Sequence, residues 1–252
     1  MTSTARWFDG KVVLVTGSGR GLGRAMALGF ADAGADVIVS SRTKSDCDRV
    51  AGEIRALGRR ALSVACDISE WESCAALVDA ALSKFDQIDV LVNNAGASFD
   101  RSSLLDISEE EFDASLAVNL KSTVRMTQLC APHMSPGGAM INISSTASTK
   151  QQPSTYVYAA AKAGVNAFTR AAANELGAHG LRINAICCGP FATDALDLWL
   201  ADPAARKVME EESSLGAIGQ PEDVVGTALW MASPASAYLQ GQVVTLDGGR
   251  SG

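Results

Sequence analysis

Seven short runs rich in Val and Ile recur along the chain. They are KVVLVT (11–16), DVIVS (36–40), RALSVAC (60–66), IDVLVN (88–93), AMINIS (139–144), LRINAIC (181–187) and QVVTL (242–246). They are bounded by Gly, Asp or Asn and are apolar on both faces, as strands covered on two sides must be. Between them lie stretches of helical periodicity at 21–33, 45–57, 70–84, 108–130 and 155–177. Parallel neighbours need a crossover, and a helix supplies it. The alternation therefore predicts an α/β fold: a parallel sheet wrapped by helices. Residues 194–220 break the rhythm with a partly acidic insertion that carries Trp199 and Met209.

The bulk properties narrow the class. A chain of 252 residues with 47% hydrophobic residues holds one large core, so one domain over 1–252 is expected. The formal net charge of −7 disfavours a nucleic-acid partner, because phosphate binding needs a basic face. No apolar run approaches the ~18 residues of a membrane helix, so no membrane partner is expected. The opening MTSTARWFDGK lacks the apolar segment of a signal peptide. Cys47, Cys66, Cys74, Cys130, Cys187 and Cys188 show no CxxC spacing. A reduced, metal-free, cytoplasmic protein is the expectation.

After the first run come Gly17, Gly19, Gly21 and Gly23. The strict G-x-G-x-x-G is absent, because Leu22 stands where its last glycine would be. The spacing present is G-x-x-x-G-x-G. Glycine lets a backbone turn sharply and approach a pyrophosphate, and a following helix aims free N–H groups at it. A tight turn with no ligand is the plainer alternative. In a dinucleotide fold an acid about 20 residues on binds the adenosine ribose. That position is Ser41, followed by Arg42. A carboxylate there repels a 2′-phosphate, whereas a hydroxyl and a guanidinium accept one. Arg20, in the turn, can reach the same phosphate. Two arginines without an acid favour NADP(H), unless both are simply solvated surface charges.

Tyr158 and Lys162 are four residues apart and share one helix face. A free phenol ionises near pH ~10, and a neighbouring ammonium lowers that value. Such a tyrosine can exchange a proton with a carbonyl oxygen. Tyr156 competes, but the residue four on is Ala160. Surface Tyr–Lys pairs at this spacing are common in helices.

TGSGRGLG (16–23), NNAG (93–96), Asn119 in AVNLKS, INISS (141–145) and YAAAK (158–162) follow one another on this chain. Together they resemble the short-chain dehydrogenase/reductase family, in its compact branch of this length. The resemblance runs from about Lys11 to Gly249. It implies a Rossmann-type, doubly wound, seven-stranded parallel sheet flanked by helices on both faces. By similarity, Ser145, thirteen residues before Tyr158, polarises the substrate carbonyl. Tyr158 is the general acid or base, Lys162 holds the nicotinamide ribose and lowers the tyrosine pKa, and Asn119 anchors a water beside Lys162. The implied cofactor site is Gly17, Ser18, Gly19, Arg20, Gly21, Leu22 and Gly23 at the pyrophosphate. Ser41 and Arg42 lie at the adenosine ribose, Asp67 and Ile68 at adenine, and Asn93, Asn94, Ala95 and Gly96 along the ribose and central sheet. Gly189 and Thr193 lie at the carboxamide, with Tyr158 and Lys162 serving both sites. No metal is implied. Cys188 stands where the family usually has proline, and a buried, inert thiol is expected there.

The implied function is hydride transfer between NADP(H) and a carbonyl or secondary alcohol: a ketone, sugar or 3-oxoacyl compound. An NAD-dependent member of the family and a non-catalytic dinucleotide-binding sensor are the alternatives. CAPHMSPGG and ELGAHGLR are poor in the basic residues that dock an acyl carrier. Residues 194–215 correspond to the family's substrate lid, and Leu196, Leu198, Trp199, Leu200 and Met209 give it apolar area. Phe99, Lys150, Gln151 and Gln152 lie in loops beside the motifs. Helices 108–130 and 155–177 are alanine-rich on more than one side, which demands cover. The family buries them between subunits, so a homotetramer is expected.

Overall fold

The computed structural model describes residues 7–97, 103–150, 155–194, 196 and 200–251. Seven parallel strands form one sheet in the order β3-β2-β1-β4-β5-β6-β7. They are β1 (Val12–Thr16), β2 (Asp36–Ser41), β3 (Ala61–Ala65), β4 (Val90–Asn93), β5 (Ala139–Ser145), β6 (Arg182–Cys188) and β7 (Val243–Leu246). Each falls within a residue or so of its apolar run. The order reverses between β1 and β4, which pair Val13 with Val90 and Val15 with Val92. A reversal leaves a crevice at the carboxyl ends of the two strands, because their connections leave on opposite faces.

Side chains alternate across the sheet and fill two cores. Val13 and Val15 pack with Met26, Phe30, Val50 and Ile54 on one face. Val12 and Leu14 pack with Leu77, Val78, Met126 and Leu176 on the other. The first face is covered by α1 (Gly21–Asp32) and α2 (Lys44–Ala56), the second by α3 (Trp71–Phe85) and α6 (Tyr156–Ala178). Among the described residues, no helix is long and apolar enough to cross a membrane.

The expected helix 108–130 is interrupted. Ser108 and Glu111 form a reciprocal cap that starts α4 (Glu109–Leu116). A wide π turn over Ala117–Lys121 follows, then α5 (Ser122–Cys130). Two helices were not expected. α7 (Pro203–Glu211) lies in the acidic insertion, its start set by Asp202, whose side chain accepts from Ala204 N–H. α8 (Asp223–Ala232) sends Val224, Ala228 and Met231 into the first core. Within this chain α6 is not covered all round: Ala160, Ala163, Ala167 and Ala171 face outward.

Candidate active site

The β1–α1 turn is drawn against β4 by hydrogen bonds. Thr16 Oγ1 accepts from the N–H groups of Asn94 (3.0 Å) and Ala95 (3.1 Å). Asn94 Nδ2 donates to Thr16 O (2.8 Å) and Gly17 O (3.2 Å). Gly23 belongs to this packing, since a Cβ on it would stand 2.3 Å from Gly17 O. No side chain caps α1 and no acid lies in its first turn. Its leading N–H groups therefore open on the crevice as an anion site, a fit for a pyrophosphate.

The other predicted cofactor residues divide into those that face the crevice and those that do not. Ser18 is buried: its Oγ donates to Val15 O (2.7 Å) and accepts from Ser40 N–H (2.9 Å), tying the turn to β2. Leu22 packs against the first core, and Ile68 is buried in the second. The Ile68 side chain is turned into the core, whereas that of Leu22 is half-buried. Asn93 is also buried, with its Nδ2 2.9 Å from Asn142 Oδ1, within the sheet rather than along a ribose. Asp67 is exposed beyond β3. The Ser69 hydroxyl and N–H hold its carboxyl below the usual range, with a contribution from the Arg42 charge. Gly19 lies beside Ser41. Arg20 pairs with Asp194 at 2.9 Å rather than turning towards Ser41. Thr193 sits over Gly21, whose Cβ position is 3.4 Å from Thr193 Cγ2. Gly189 donates its N–H to Leu246 O (2.9 Å), fixing the end of β6 against β7.

The catalytic candidates converge where β5, α6 and the π turn meet. The hydroxyl of Ser145, at the end of β5, accepts from Ala147 N–H (3.2 Å) and lowers the pKa of the Tyr158 phenol. Ser144 turns the other way, donating to Lys162 O (3.2 Å). Lys162 is buried, with Nζ 5.7 Å from the centre of the Tyr158 ring and donating to Ile143 O (2.9 Å). Asn119, in the π turn, donates through Nδ2 to Ala97 O (2.7 Å) and Ser115 O (2.9 Å). Its Oδ1 accepts from Ala97 N–H (3.1 Å). Gly96 separates the two groups: a Cβ there would lie 2.8 Å from Asn119 Oδ1 and 3.1 Å from Lys162 Nζ.

Burial pushes the Tyr158 phenol up to about 12 despite the opposing hydrogen bond from Ser145. Burial pulls Lys162 down to about 8. Desolvation sets the direction of the tyrosine shift in this cleft, and the Lys162 amine is committed to a strand carbonyl. Cys188 is buried and is likewise pushed up to about 12 by desolvation, an unreactive thiol. All six cysteines are buried and unpaired.

Sequence reasoning missed Thr16, a plain strand residue by pattern, although its hydroxyl closes the turn. It also missed Asp46 and Arg49, which α2 brings against Gly19. Phe99, Gln151, Gln152, Asp197, Leu198 and Trp199 lie outside the described residues. Lys150, beyond Ser145, pairs with Glu212 at 3.6 Å.

A family profile described as Enoyl-(Acyl carrier protein) reductase matches residues 17–251. An uncharacterized oxidoreductase of Mycobacterium tuberculosis is 41% identical over 244 residues, covering 96% of this chain and 92% of the relative. A solved 7α-hydroxysteroid dehydrogenase, complexed with NADH and 7-oxo glycochenodeoxycholic acid, superposes with a TM-score of 0.94 at 34% identity, covering 99% of this chain and 97% of that one. A short-chain dehydrogenase from Burkholderia cenocepacia, in complex with NADP, gives 0.92 at 30% identity, covering 98% of this chain and 100% of that one. With its parallel sheet, glycine turn and Ser–Tyr–Lys cluster, the chain belongs to the short-chain dehydrogenase/reductase family, oxidoreductases that use a nicotinamide dinucleotide.

Proposed function

We propose that this protein is an NADP(H)-dependent dehydrogenase/reductase that interconverts a carbonyl compound and a secondary alcohol. The observation that carries the reading is the convergence of Lys162 on Tyr158, Nζ 5.7 Å from the ring centre, with the Ser145 hydroxyl acting on the same phenol. A bound nicotinamide supplies or accepts the hydride at the substrate carbon. Ser145 donates a hydrogen bond to the substrate oxygen, where charge develops. Tyr158 gives that oxygen a proton in reduction and takes one in oxidation. The phenol is protonated at neutral pH, so the resting site can act as an acid, and burial pushes the group further in that direction. Lys162 opposes that bias when its ammonium is charged, and Asn119 holds the loop after β4 at Ala97.

The cofactor residues are those that line the crevice: the glycine turn, Ser41, Arg42, Asp67, Asn94, Ala95, Gly96, Gly189 and Thr193. Ser41 and Arg42 at the end of β2 support NADP(H). The NADP complex of the Burkholderia relative agrees with this, and the NADH complex of the hydroxysteroid dehydrogenase makes NAD(H) the competing choice. The chain works as one domain with 194–215 as a lid. Val208 and Leu215 are exposed there, and an apolar lid suits a partly apolar ketone such as the 7-oxo steroid held by that relative. The outward alanines of α6 and the exposed Leu105 and Phe112 support assembly as a homotetramer. Unpaired buried thiols support a reducing, cytoplasmic setting.

The test is a screen of ketones, sugars, 3-oxoacyl thioesters and secondary alcohols with each dinucleotide, followed by nicotinamide absorbance. Turnover that favours NADPH and is lost in Tyr158→Phe is the expected result. Activity retained in that variant overturns the mechanism.

A further inference from the structure

The absence of an acid at Ser41 underlies the preference for NADP(H), yet the fold returns an acid to the same corner. The Cβ direction of Gly19 runs to within 2.7 Å of Ser41 Oγ and 3.0 Å of Asp46 Cβ. Asp46 stands in the first turn of α2. Arg49 lies three residues further on. Its Nη2 donates to Gly19 O at 2.7 Å and lies 3.9 Å from Asp46 Oδ1. Its Nη1 is 2.9 Å from Glu53, which also pairs with Arg24. One guanidinium therefore touches the glycine turn with a carboxylate on either flank. The wall that meets the adenosine ribose carries a cation and an acid, neither of them at the strand end where such determinants are sought.

We propose that Asp46 and Arg49 form a specificity-determining pair for the adenosine end of the dinucleotide: Arg49 draws the 2′-phosphate and Asp46 restrains it, so the pocket discriminates less strongly against NAD(H). The proposal rests on the reading that this crevice binds a nicotinamide dinucleotide. A 2′-phosphate close to doubly charged at neutral pH gains from each cation and loses from each carboxylate within a Debye length of about 8 Å. A neutral ribose hydroxyl is nearly indifferent to both charges. The two residues thus act on the ratio of the affinities rather than on both alike.

The experiment is equilibrium binding to the cofactor-free protein, with NADPH and NADH followed by nicotinamide fluorescence. Adenosine 2′,5′-bisphosphate and adenosine 5′-monophosphate, followed by calorimetry, isolate the 2′-phosphate. Asp46→Asn preserves shape and removes charge; it is expected to tighten NADPH and the bisphosphate by about three- to tenfold and to leave NADH and the monophosphate within about twofold. Arg49→Gln is expected to do the reverse, with Arg49→Lys largely restoring wild-type ratios. Raising the salt should shrink every one of these differences.

If either variant shifts NADPH and NADH alike, the pair only shapes the turn and the proposal falls. If neither variant moves the ratio, it falls as well. A wild-type protein that prefers NADH overturns the assignment of NADP(H) but not the pair, because the bisphosphate-to-monophosphate ratio still reports on Asp46 and Arg49. Failure of every dinucleotide to bind overturns both.

Discussion

Arg20 Nη1 stands 2.9 Å from Asp194 Oδ2, which ties the glycine turn to the first residue of the 194–215 segment. The pair spans the mouth of the crevice, because Thr193 already rests over Gly21. Both side chains are solvated, so the bond is worth about 0.2–1 kcal/mol. That is enough to slow escape of a ligand held beneath it. Asp194→Asn is expected to raise the release rate of bound dinucleotide by about two- to fivefold, measured by stopped-flow displacement. High salt should produce the same acceleration in the wild type. An unchanged rate in the variant leaves Arg20–Asp194 as a surface pair without consequence.

Tyr158 and Ser145 act on the same substrate oxygen, but in different ways. Removing the proton donor in Tyr158→Phe should lower kcat by about 10²- to 10⁴-fold. Removing the hydrogen-bond donor in Ser145→Ala should lower it by about 10²- to 10³-fold. Dinucleotide affinity should hardly change in either variant, because neither hydroxyl stands at the glycine turn. A double variant much less impaired than the product of the two would show that they work as one unit.

The sheet was legible because burial on both faces writes itself as runs of Val and Ile. The match from Val12–Thr16 to Val243–Leu246 follows from that single constraint. The Tyr158–Lys162 pair was legible because helix pitch sets its spacing, whereas Ser145, at the end of β5, was named only through the family resemblance. Three features were not. The π turn at Asn119 adds no residue type that distinguishes it from an ordinary helix. Thr16 reads as a strand residue until Asn94 is folded onto it. Asp46 and Arg49 reach Gly19 only because α2 crosses back over β2, a tertiary event that no local pattern encodes. Spacing brings Lys162 near the phenol, but burial, which no local pattern encodes, sets the direction of the tyrosine shift.

Asn119 joins the π turn to the loop that follows β4. Its side chain makes three hydrogen bonds to the backbone of Ala97 and Ser115. It is fully buried, and Asn119→Leu fills a similar space while stranding those partners. The expected cost is about 1–3 kcal/mol of unfolding free energy in urea, since Ala97 is only partly buried and water recovers some of the loss. Loss of turnover should exceed what that destabilisation explains, because Gly96, between Asn119 and Lys162, loses its support.

Lys162 carries a pH signature that Asn119 does not. Its folded pKa is lowered by burial to about 8, against an ordinary value of 10.5. Between those values the unfolded chain binds a proton that the folded site has released, so stability rises with pH across that window. Below about 8 the folded site is charged and carries the full desolvation cost. Lys162→Met removes the term. The stability gained by the variant over the wild type should therefore be largest below about pH 8 and shrink as pH climbs towards 10.5. Tyr158 acts in the opposite sense, because its folded pKa is raised from 10 to about 12 and stability falls with pH between those values. Urea unfolding of the cofactor-free protein below about pH 10 separates the two groups. A difference between variant and wild type that stays flat across that range would mean that Lys162 holds its proton as an exposed lysine does, and that the buried-amine account of the site is wrong.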